Sequence, residues 1–231
     1  MTRTNLAERT TAQKVTVTLA GAAVFAALAA ILALAKAAVP FPLIPYLQID
    51  FSEIPIYIAF FLFGPFAAII SSVVQWIFLN VTGSDAPLGP AIKFAAVVST
   101  LGGLWLGSAV YGRIKGNKAH PSLAILMMFG SGIVWRVAAM TVVNYIVLIY
   151  IGPIFFGVDY IGFAKATIER STGWKFGSEG MVLAYTLLFT AVYNIVNLLV
   201  AAIPAGLIAS PIASSFKHIT SFEAWLARNM R

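Results

Sequence analysis

Long apolar runs, separated by short polar or proline-rich segments, occupy most of the chain. Four of the runs are long enough to form helices that cross the hydrocarbon core of a bilayer, which takes about 20 apolar residues. We predict these four helices at 15–37, 89–112, 122–151 and 181–209. A further apolar region, 53–82, is interrupted by Gly64-Pro65. It fits either one helix kinked at that point or two short helices joined by a tight turn.

The composition agrees with this pattern. Of the 231 residues, 60% are hydrophobic and only 10% are charged, whereas soluble domains are about 45–50% apolar and about 25% charged. The chain is therefore predicted to be an all-α, polytopic membrane protein. It has no cysteines, and its two histidines lie far apart in sequence, so we expect neither disulfides nor a metal site. We attribute the net charge of +7 to membrane topology rather than to nucleic-acid binding.

The distribution of lysine and arginine distinguishes the two descriptions of 53–82. With two helices there and a cytoplasmic N-terminus, nine Lys and Arg residues lie inside and five outside. With one helix, the basic cluster at 113–118 and the C-terminal tail fall outside, and the bias disappears. Because cytoplasmic segments are enriched in Lys and Arg, we predict six transmembrane helices in a multi-pass cell-membrane protein, with both termini in the cytoplasm.

This topology divides the chain into a cytoplasmic arm at 1–14, a six-helix transmembrane domain at 15–209 and a cytoplasmic tail at 210–231. Five apolar residues of the tail recur near helical spacing, with basic residues between them: Phe216, Ile219, Phe222, Trp225 and Leu226. We predict that the tail is an amphipathic helix on the membrane surface, serving either as an interfacial anchor or as a contact for another subunit.

The segment between helices 1 and 2, FPLIPYLQIDFSEIP at 41–55, is rich in proline. Helix 2, at about 53–63, covers only about half of the ~30 Å hydrocarbon core at 1.5 Å per residue. The segment before it must therefore lie within the membrane's depth, where non-helical backbone is tolerated only if it is buried in protein or lines a cavity. We interpret it as a lid over a pocket. Asp50, Ser52 and Glu53 either cap helix 2 or belong to that pocket.

Charged residues inside the later spans are few. Arg136 lies about midway along helix 5, too deep to reach the interface easily. Its partner is a backbone carbonyl, a substrate, or Asp50 or Glu53 reaching inward. Lys93 stands at the outer start of helix 4. It either extends to the membrane interface or faces the same pocket.

Three asparagines occupy the outer halves of the last two predicted helices. Asn144 lies on helix 5, and Asn194 and Asn197 lie three residues apart on helix 6. Each makes an interhelical hydrogen bond, or the three together line a pocket that binds a polar ring system.

Helix 1 carries small residues at regular spacing. Ala22, Ala26 and Ala30 recur every four residues. Such a pattern lets another helix approach closely. The approaching helix belongs either to this chain or to a separate subunit.

Several of these segments resemble the substrate-binding S components of energy-coupling factor (ECF) vitamin transporters, in particular the riboflavin-specific members. The similarity is carried by FPLIPYLQIDFSEIP, by FGPFA at 63–67 and by PLGPAIKF at 87–94, with weaker matches in VNYIVL at 143–148 and YNIVN at 193–197. It covers about 15–209 and is most specific in the first loop.

The resemblance implies a vitamin site on the extracellular side, beneath the first loop, with riboflavin as the transported ligand and no other cofactor. It implies that Asn144 and Asn194 hydrogen-bond the flavin ring and that the backbone around Leu47, from Tyr46 to Gln48, contacts it. The alanine motif of helix 1 is expected to meet a separate transmembrane T component, while two cytosolic ATPases supply the energy. The chain has no GxxxxGK[ST] phosphate loop of its own, as this division implies.

Two positions depart from the riboflavin pattern. Asn197 stands where the family has lysine, and Lys93 stands where the riboflavin proteins tend to have asparagine. We interpret Lys93 as a partial replacement for the lost positive group. These departures, with Arg136, leave open an S component for another vitamin or for a small anionic ligand.

Two other classes of protein fit the sequence less well. A standalone secondary transporter is a further alternative, although we find no carboxylate deep within the predicted spans to mark a coupling-ion path. The chain has no HExxH, no paired aspartates within spans and no Gly-x-Ser-x-Gly elbow. We therefore predict that it is not an enzyme and has no catalytic residues.

Overall fold

A computed structural model describes residues 3–83, 86–114, 120–157, 159–219 and 224–230. Within these ranges the chain forms nine helices and one two-stranded antiparallel sheet. The helices are α1 (Arg3–Leu34), α2 (Ile54–Phe63), α3 (Pro65–Thr82), α4 (Leu88–Ile114), α5 (Pro121–Ile146), α6 (Gly152–Phe156), α7 (Tyr160–Thr172), α8 (Glu179–Ile219) and α9 (Trp225–Met230). The strands are β1 (Ala38–Phe41) and β2 (Ile44–Asp50). A short 3₁₀ turn precedes α2, and a wider π-type turn at Val147–Ile151 joins α5 to α6.

The four long helices predicted from the sequence are present, with ends that differ from the predicted ones. α1 begins at Arg3 rather than at 15, and α8 continues to Ile219 rather than ending at 209. An apolar run locates the part of a helix that can cross a membrane, and here both helices continue past that part into more polar sequence. Among the described residues, five helices are long and apolar enough to cross a membrane: Ala12–Leu34, Pro65–Thr82, Leu88–Ile114, Pro121–Phe155 and Glu179–Ser215.

α2 and α3 are separate helices that fold back on each other at Gly64. The φ angle of Gly64 is 95°, a conformation that favours glycine. Pro65 then opens α3, where no backbone N–H partner is needed. On opposite sides of this turn, Gln75 donates a hydrogen bond of 2.9 Å to the Ser52 hydroxyl. Because these two residues lie almost equally far from Gly64 along the chain, the helices are antiparallel. The two-helix interpretation is confirmed, and a single kinked helix is excluded.

α2 is the central helix of the bundle. Eight of its ten residues are buried, and it packs against α1, α3 and α8. A helix covered on every side has no polar face, which explains its uniformly apolar sequence, IPIYIAFFLF. Phe60 and Leu62 of α2 meet Leu101 of α4 and Leu198 of α8 in this core.

The non-helical first loop predicted from the sequence forms a β-hairpin. β1 and β2 pair antiparallel, with a register shift between Pro40 and Phe41. Two tyrosines of α8 hold the hairpin, because Tyr185 donates to the Leu43 carbonyl at 3.3 Å and Tyr193 to the Gln48 carbonyl at 2.7 Å. Backbone groups at this depth need partners, and pairing the two strands supplies them.

α7 was not predicted from the sequence and lies in the region treated as an outer loop. Asp159 caps its start by accepting from the Gly162 N–H at 2.9 Å, and Gly173, with φ of 76°, ends it. After the helix, the Phe176 N–H donates to Glu169 at 2.8 Å, and this bond, more than nearby Lys175, lowers the pKa of the Glu169 carboxyl. The hairpin and α7 share an apolar cluster on α8: Phe41, Ile44, Leu148, Ala164, Ile168, Phe176, Val182 and Tyr185.

The alanine motif of α1 faces the interior of the molecule. Ala22 and Ala26 are buried and Ala30 is half-buried, and the Ser71 hydroxyl of α3 donates to the Ala22 carbonyl at 2.9 Å. Within the chain, α3 covers this face at Ala22 and Ala26, and contact of the three alanines with a separate subunit stays a prediction. The exposed small residues of α1 include Ala23 and Ala27.

The tail at 210–231 is not one continuous amphipathic helix. Its first part continues α8, and α9 begins at Trp225, while Phe222 lies outside the described residues. The Trp225 and Phe60 rings lie 4.8 Å apart between centroids, and Ala224 is buried. This part of the tail therefore packs against the end of α2 opposite the β-hairpin, and its placement on the membrane surface stays a prediction.

Candidate functional site

A cavity of about 640 Å³ lies beneath β2, among α4, α5, α7 and α8. Apolar side chains form most of its wall. Among them lie acidic, basic and uncharged polar side chains. The lining residues are Tyr46, Leu47, Gln48, Asp50, Glu53, Leu88, Gly89, Ile92, Lys93, Ala96, Arg136, Met140, Asn144, Val147, Leu148, Tyr160, Phe163, Thr186, Thr190, Tyr193 and Asn194.

A buried ion pair closes one end of this cavity. The two terminal nitrogens of Arg136 donate to the two carboxylate oxygens of Glu53, at 2.8 and 3.1 Å. The Arg136 and Glu53 side chains are only 1% and 3% exposed. A lone charge at such a position costs several kcal/mol, on the order of 3–5, so each group neutralises the other. Glu53 is therefore the partner of Arg136 that the sequence left open, and it makes no side-chain cap bond to α2.

Neutral groups hold the Arg136 guanidinium in one orientation. Its Nε donates to Asn194 at 3.0 Å, and Nη1 also donates to the Tyr57 hydroxyl at 3.0 Å and to the Thr100 hydroxyl at 3.2 Å. Tyr57 in turn donates to Glu53 at 2.9 Å. A buried polar network whose members are all bonded is rigid, so this end of the cavity is preformed.

Asn197 lies behind the ion pair and does not line the cavity. Its Nδ2 donates to Glu53 at 2.9 Å, and its Oδ1 accepts from the Asp50 N–H at 2.9 Å. It thus ties the end of β2 to the buried carboxylate. The lysine expected here from the resemblance would put a second cation beside Arg136, whereas an amide suits a carboxylate that is already neutralised.

A second ion pair lies where β2 meets the start of α4. Lys93 donates to the Asp50 carboxylate and, at 2.7 Å, to the Ser52 hydroxyl. The two charged side chains are 18% and 23% exposed. Asp50 also caps the turn before α2 by accepting from the Ser52 N–H at 2.7 Å. Both interpretations of Asp50 therefore hold, since it caps the turn and also lines the cavity.

The four charged residues of the cavity wall cancel in pairs. Asp50 is paired with Lys93, and Glu53 with Arg136. No cation is left in the described lining to neutralise an anionic ligand without first giving up its own carboxylate. This arrangement favours an uncharged ligand.

Seven of the eight residues predicted from the sequence to bind substrate lie around this single cavity, and their role in binding stays a prediction. They are Tyr46, Leu47, Gln48, Lys93, Arg136, Asn144 and Asn194. Asn144 donates to the Met140 carbonyl at 2.7 Å, one turn earlier on α5. Asn194 makes two hydrogen bonds within the protein, since it donates to the Thr190 carbonyl at 2.9 Å and accepts from Arg136.

α7 and the part of α8 before Asn194 also contribute to the cavity wall, which was not predicted from the sequence. Tyr160 and Phe163 of α7, and Thr186 and Thr190 of α8, line the cavity. The two threonines precede Asn194 at intervals of four residues, so helical periodicity could have placed them on its face. An aspartate before and a glycine after 160–172 are also ordinary signals for the ends of a helix.

Tyr46 is the tyrosine that β2 contributes to the wall. Burial raises its pKa to about 12. Its hydroxyl therefore stays protonated at neutral pH and is available as a neutral donor.

Comparison with known proteins identifies the kind of molecule to which this cavity belongs. The model of the family described as "ECF transporter, substrate-specific component" matches residues 17–215. The chain belongs to this family. Among solved structures, this S component is similar to one described as "Structure and mechanism of the S component of a bacterial ECF transporter", with a TM-score of 0.53 and 24% identity over 87% of this chain and 98% of that one. That likeness bears on the fold alone.

Two curated relatives are similar over about half of this S component. It is 32% identical over 123 residues to "Riboflavin transporter RibU" of Staphylococcus aureus (strain TCH60), which covers 53% of this chain and 60% of the relative. It is 33% identical over 117 residues to "Riboflavin transporter FmnP" of Bacillus subtilis (strain 168), which covers 48% of this chain and 56% of the relative. The matches thus span less than two thirds of each relative's length.

Proposed function

We propose that this S component binds riboflavin in the cavity beneath the β-hairpin, as the first step of vitamin uptake. The observation that carries the proposal is the composition of the cavity wall. A volume of about 640 Å³ lies within the range of roughly 300–1,000 Å³ of small-molecule sites. Apolar walls suit a flat aromatic ring, neutral amides and hydroxyls suit its polar edges, and the paired charges suit an uncharged molecule. Two relatives that bear the name riboflavin transporter support this choice of ligand.

The proposal extends to orientation and partners. We place the hairpin side of the molecule outside the cell and α9, at the opposite end of α2, in the cytoplasm, in keeping with the excess of Lys and Arg in the segments assigned to that side. A T component in the membrane and two cytosolic ATPases are proposed to release the ligand inward. The S component has no phosphate-binding loop and is proposed to catalyse no reaction itself.

Riboflavin titration of the purified protein tests the ligand, with quenching of flavin fluorescence as the signal. We expect wild type to bind, and Asn144→Ala to weaken binding by about tenfold, the effect of one lost hydrogen bond. Asn80→Ala is the matched control, because Asn80 makes the same kind of bond to the carbonyl four residues earlier, at 2.8 Å, but lies outside the cavity lining.

The outcomes separate the ligand from the site. Wild type that binds no riboflavin contradicts the choice of ligand, while equal affinities for Asn144→Ala and Asn80→Ala contradict the location of the site. Uptake into vesicles without ATPases would instead favour a standalone secondary transporter.

A further inference from the structure

Three hydroxyl groups in the cavity have no partner. Among the described residues, the buried side-chain oxygens without a hydrogen bond are Tyr46 OH, Thr186 Oγ1 and Thr190 Oγ1. All three residues line the cavity, and the two threonines are only 2% and 1% exposed. Buried polar groups are almost always hydrogen-bonded, because leaving one unpaired costs free energy. We call these three groups the hydroxyl row.

The threonines of the row behave differently from other helical threonines of this chain. Thr82, Thr100 and Thr172 each donate to the carbonyl four residues earlier, at 2.9, 2.8 and 2.7 Å. That local bond satisfies a hydroxyl without help from anything else. Thr186 and Thr190 are also helical but do not make it, so their hydroxyls remain available to a molecule in the cavity.

The row has a defined place along α8. Thr186, Thr190 and Asn194 follow at intervals of four residues and so share one face, which extends about 12 Å at 1.5 Å per residue. Asn194 touches the buried ion pair, so the threonines lie progressively farther from it. Tyr46 approaches from β2, and its hydroxyl interacts with that of Thr186, although neither hydroxyl makes a hydrogen bond of normal length and angle. All the α8 residues that line the cavity are uncharged.

We propose that the hydroxyl row binds the hydroxylated, uncharged side chain of the ligand and sets a preference for flavins that carry such a chain. A hydroxyl both donates and accepts, so a row of hydroxyls can follow a polyol whichever way its own hydroxyls turn. An ionised group would find no counter-charge on this face. The inference rests on the proposed function and names the part of the ligand that α8 recognises.

The test compares riboflavin with lumiflavin, which has the same ring but a methyl group in place of the hydroxylated chain. Thr186→Val and Thr190→Val remove a hydroxyl with little change of shape. We expect each to weaken riboflavin binding by about tenfold, as one lost hydrogen bond does, and to leave lumiflavin binding unchanged. Thr82→Val, outside the cavity, is the matched control and should alter neither affinity.

The melting temperature of the ligand-free protein supplies a second readout. Because the two hydroxyls are unpaired without ligand, their removal should not lower it, whereas loss of a structural hydrogen bond would. Three results would overturn the proposed role of the hydroxyl row: a lowered melting temperature, unchanged riboflavin affinity, or equal weakening of riboflavin and lumiflavin binding. Each of them would still leave riboflavin as the ligand. Failure of wild type to bind riboflavin overturns the proposed function and this inference together.

Discussion

The Arg136–Glu53 pair accounts for the most unusual residue of the chain, an arginine that is 1% exposed in the middle of an apolar helix. Arg136 is also bonded to side chains from α2, α4 and α8. Such a pair is weak evidence for net stability, because desolvating both ions offsets their attraction. Its clearer consequence is that it specifies one arrangement of the helices, because α2, α4, α5 and α8 must meet at one place to bond the Arg136 guanidinium.

Removing one ion of this pair should be much worse than removing both. We expect Arg136→Met to lower the free energy of unfolding by about 3–5 kcal/mol, because Glu53 is left buried without its cation. The double variant Arg136→Met with Glu53→Gln should recover a large part of that loss. Equilibrium unfolding in mixed detergent micelles gives both values, and a double variant no more stable than the single one would contradict the argument.

The sequence located these charges but could not pair them. Arg136 and Glu53 are 83 residues apart along the chain, and nothing in their local sequence states that α2 lies beside α5 at that height. The amides illustrate the same limit. Asn194 and Asn197 share a helix and a spacing of three residues, yet one lines the cavity and the other lies behind it.

At the scale of elements, the turn at Gly64 determines how α2 enters the bundle. Its backbone lies at φ 95° and ψ −178°, a region occupied almost only by glycine. An added Cβ would also lie 2.7 Å from the Trp225 ring of α9. Gly64 therefore allows both the turn between α2 and α3 and the close packing of α9 against that turn.

Gly64→Ala should destabilise the protein by about 1–3 kcal/mol, the usual cost of a strained backbone conformation. Gly102→Ala is the matched control, because a methyl group at that exposed helical position meets nothing within 4 Å and removes the entropic cost of glycine. Thermal unfolding in detergent measures both. Full rescue of Gly64→Ala by Trp225→Ala would show that the contact alone, and not the backbone, is responsible.

Long apolar helices were predictable from the sequence. Elements that form mainly through contacts with the rest of the chain were not. The long helices follow from their hydrophobicity, and the break at Gly64 follows from charge counting. The β-hairpin was missed because its prolines suggested irregular backbone, although Pro40 and Pro45 both lie in its short strands. α7 was missed because its sequence is too polar and short for a span.

At the scale of the whole molecule, the outward face of α1 joins the inward one as a candidate contact for a T component. Ala22 and Ala26 are covered by the chain itself, while Ala23 and Ala27 are exposed. Small residues four apart on an exposed face permit close helix packing. The distinction could not be made from the sequence, because α1 carries alanines on both faces.

Ala27→Trp should abolish co-purification with the T component while leaving riboflavin affinity unchanged, because a large side chain on that face would hold a partner helix away. Ala26→Trp is the contrasting variant and should lower stability and yield, since its position is 2% exposed. A complex that forms normally with Ala27→Trp would direct attention to another face of the protein.

The paired charges of the cavity have an electrical consequence. A membrane voltage does work of about 2.3 kcal/mol on each elementary charge moved through 100 mV. Asp50 with Lys93, and Glu53 with Arg136, contribute no net charge, and an uncharged ligand adds none. Loading the cavity is then electrically silent, so the potential across the cell membrane neither draws the ligand in nor holds it out.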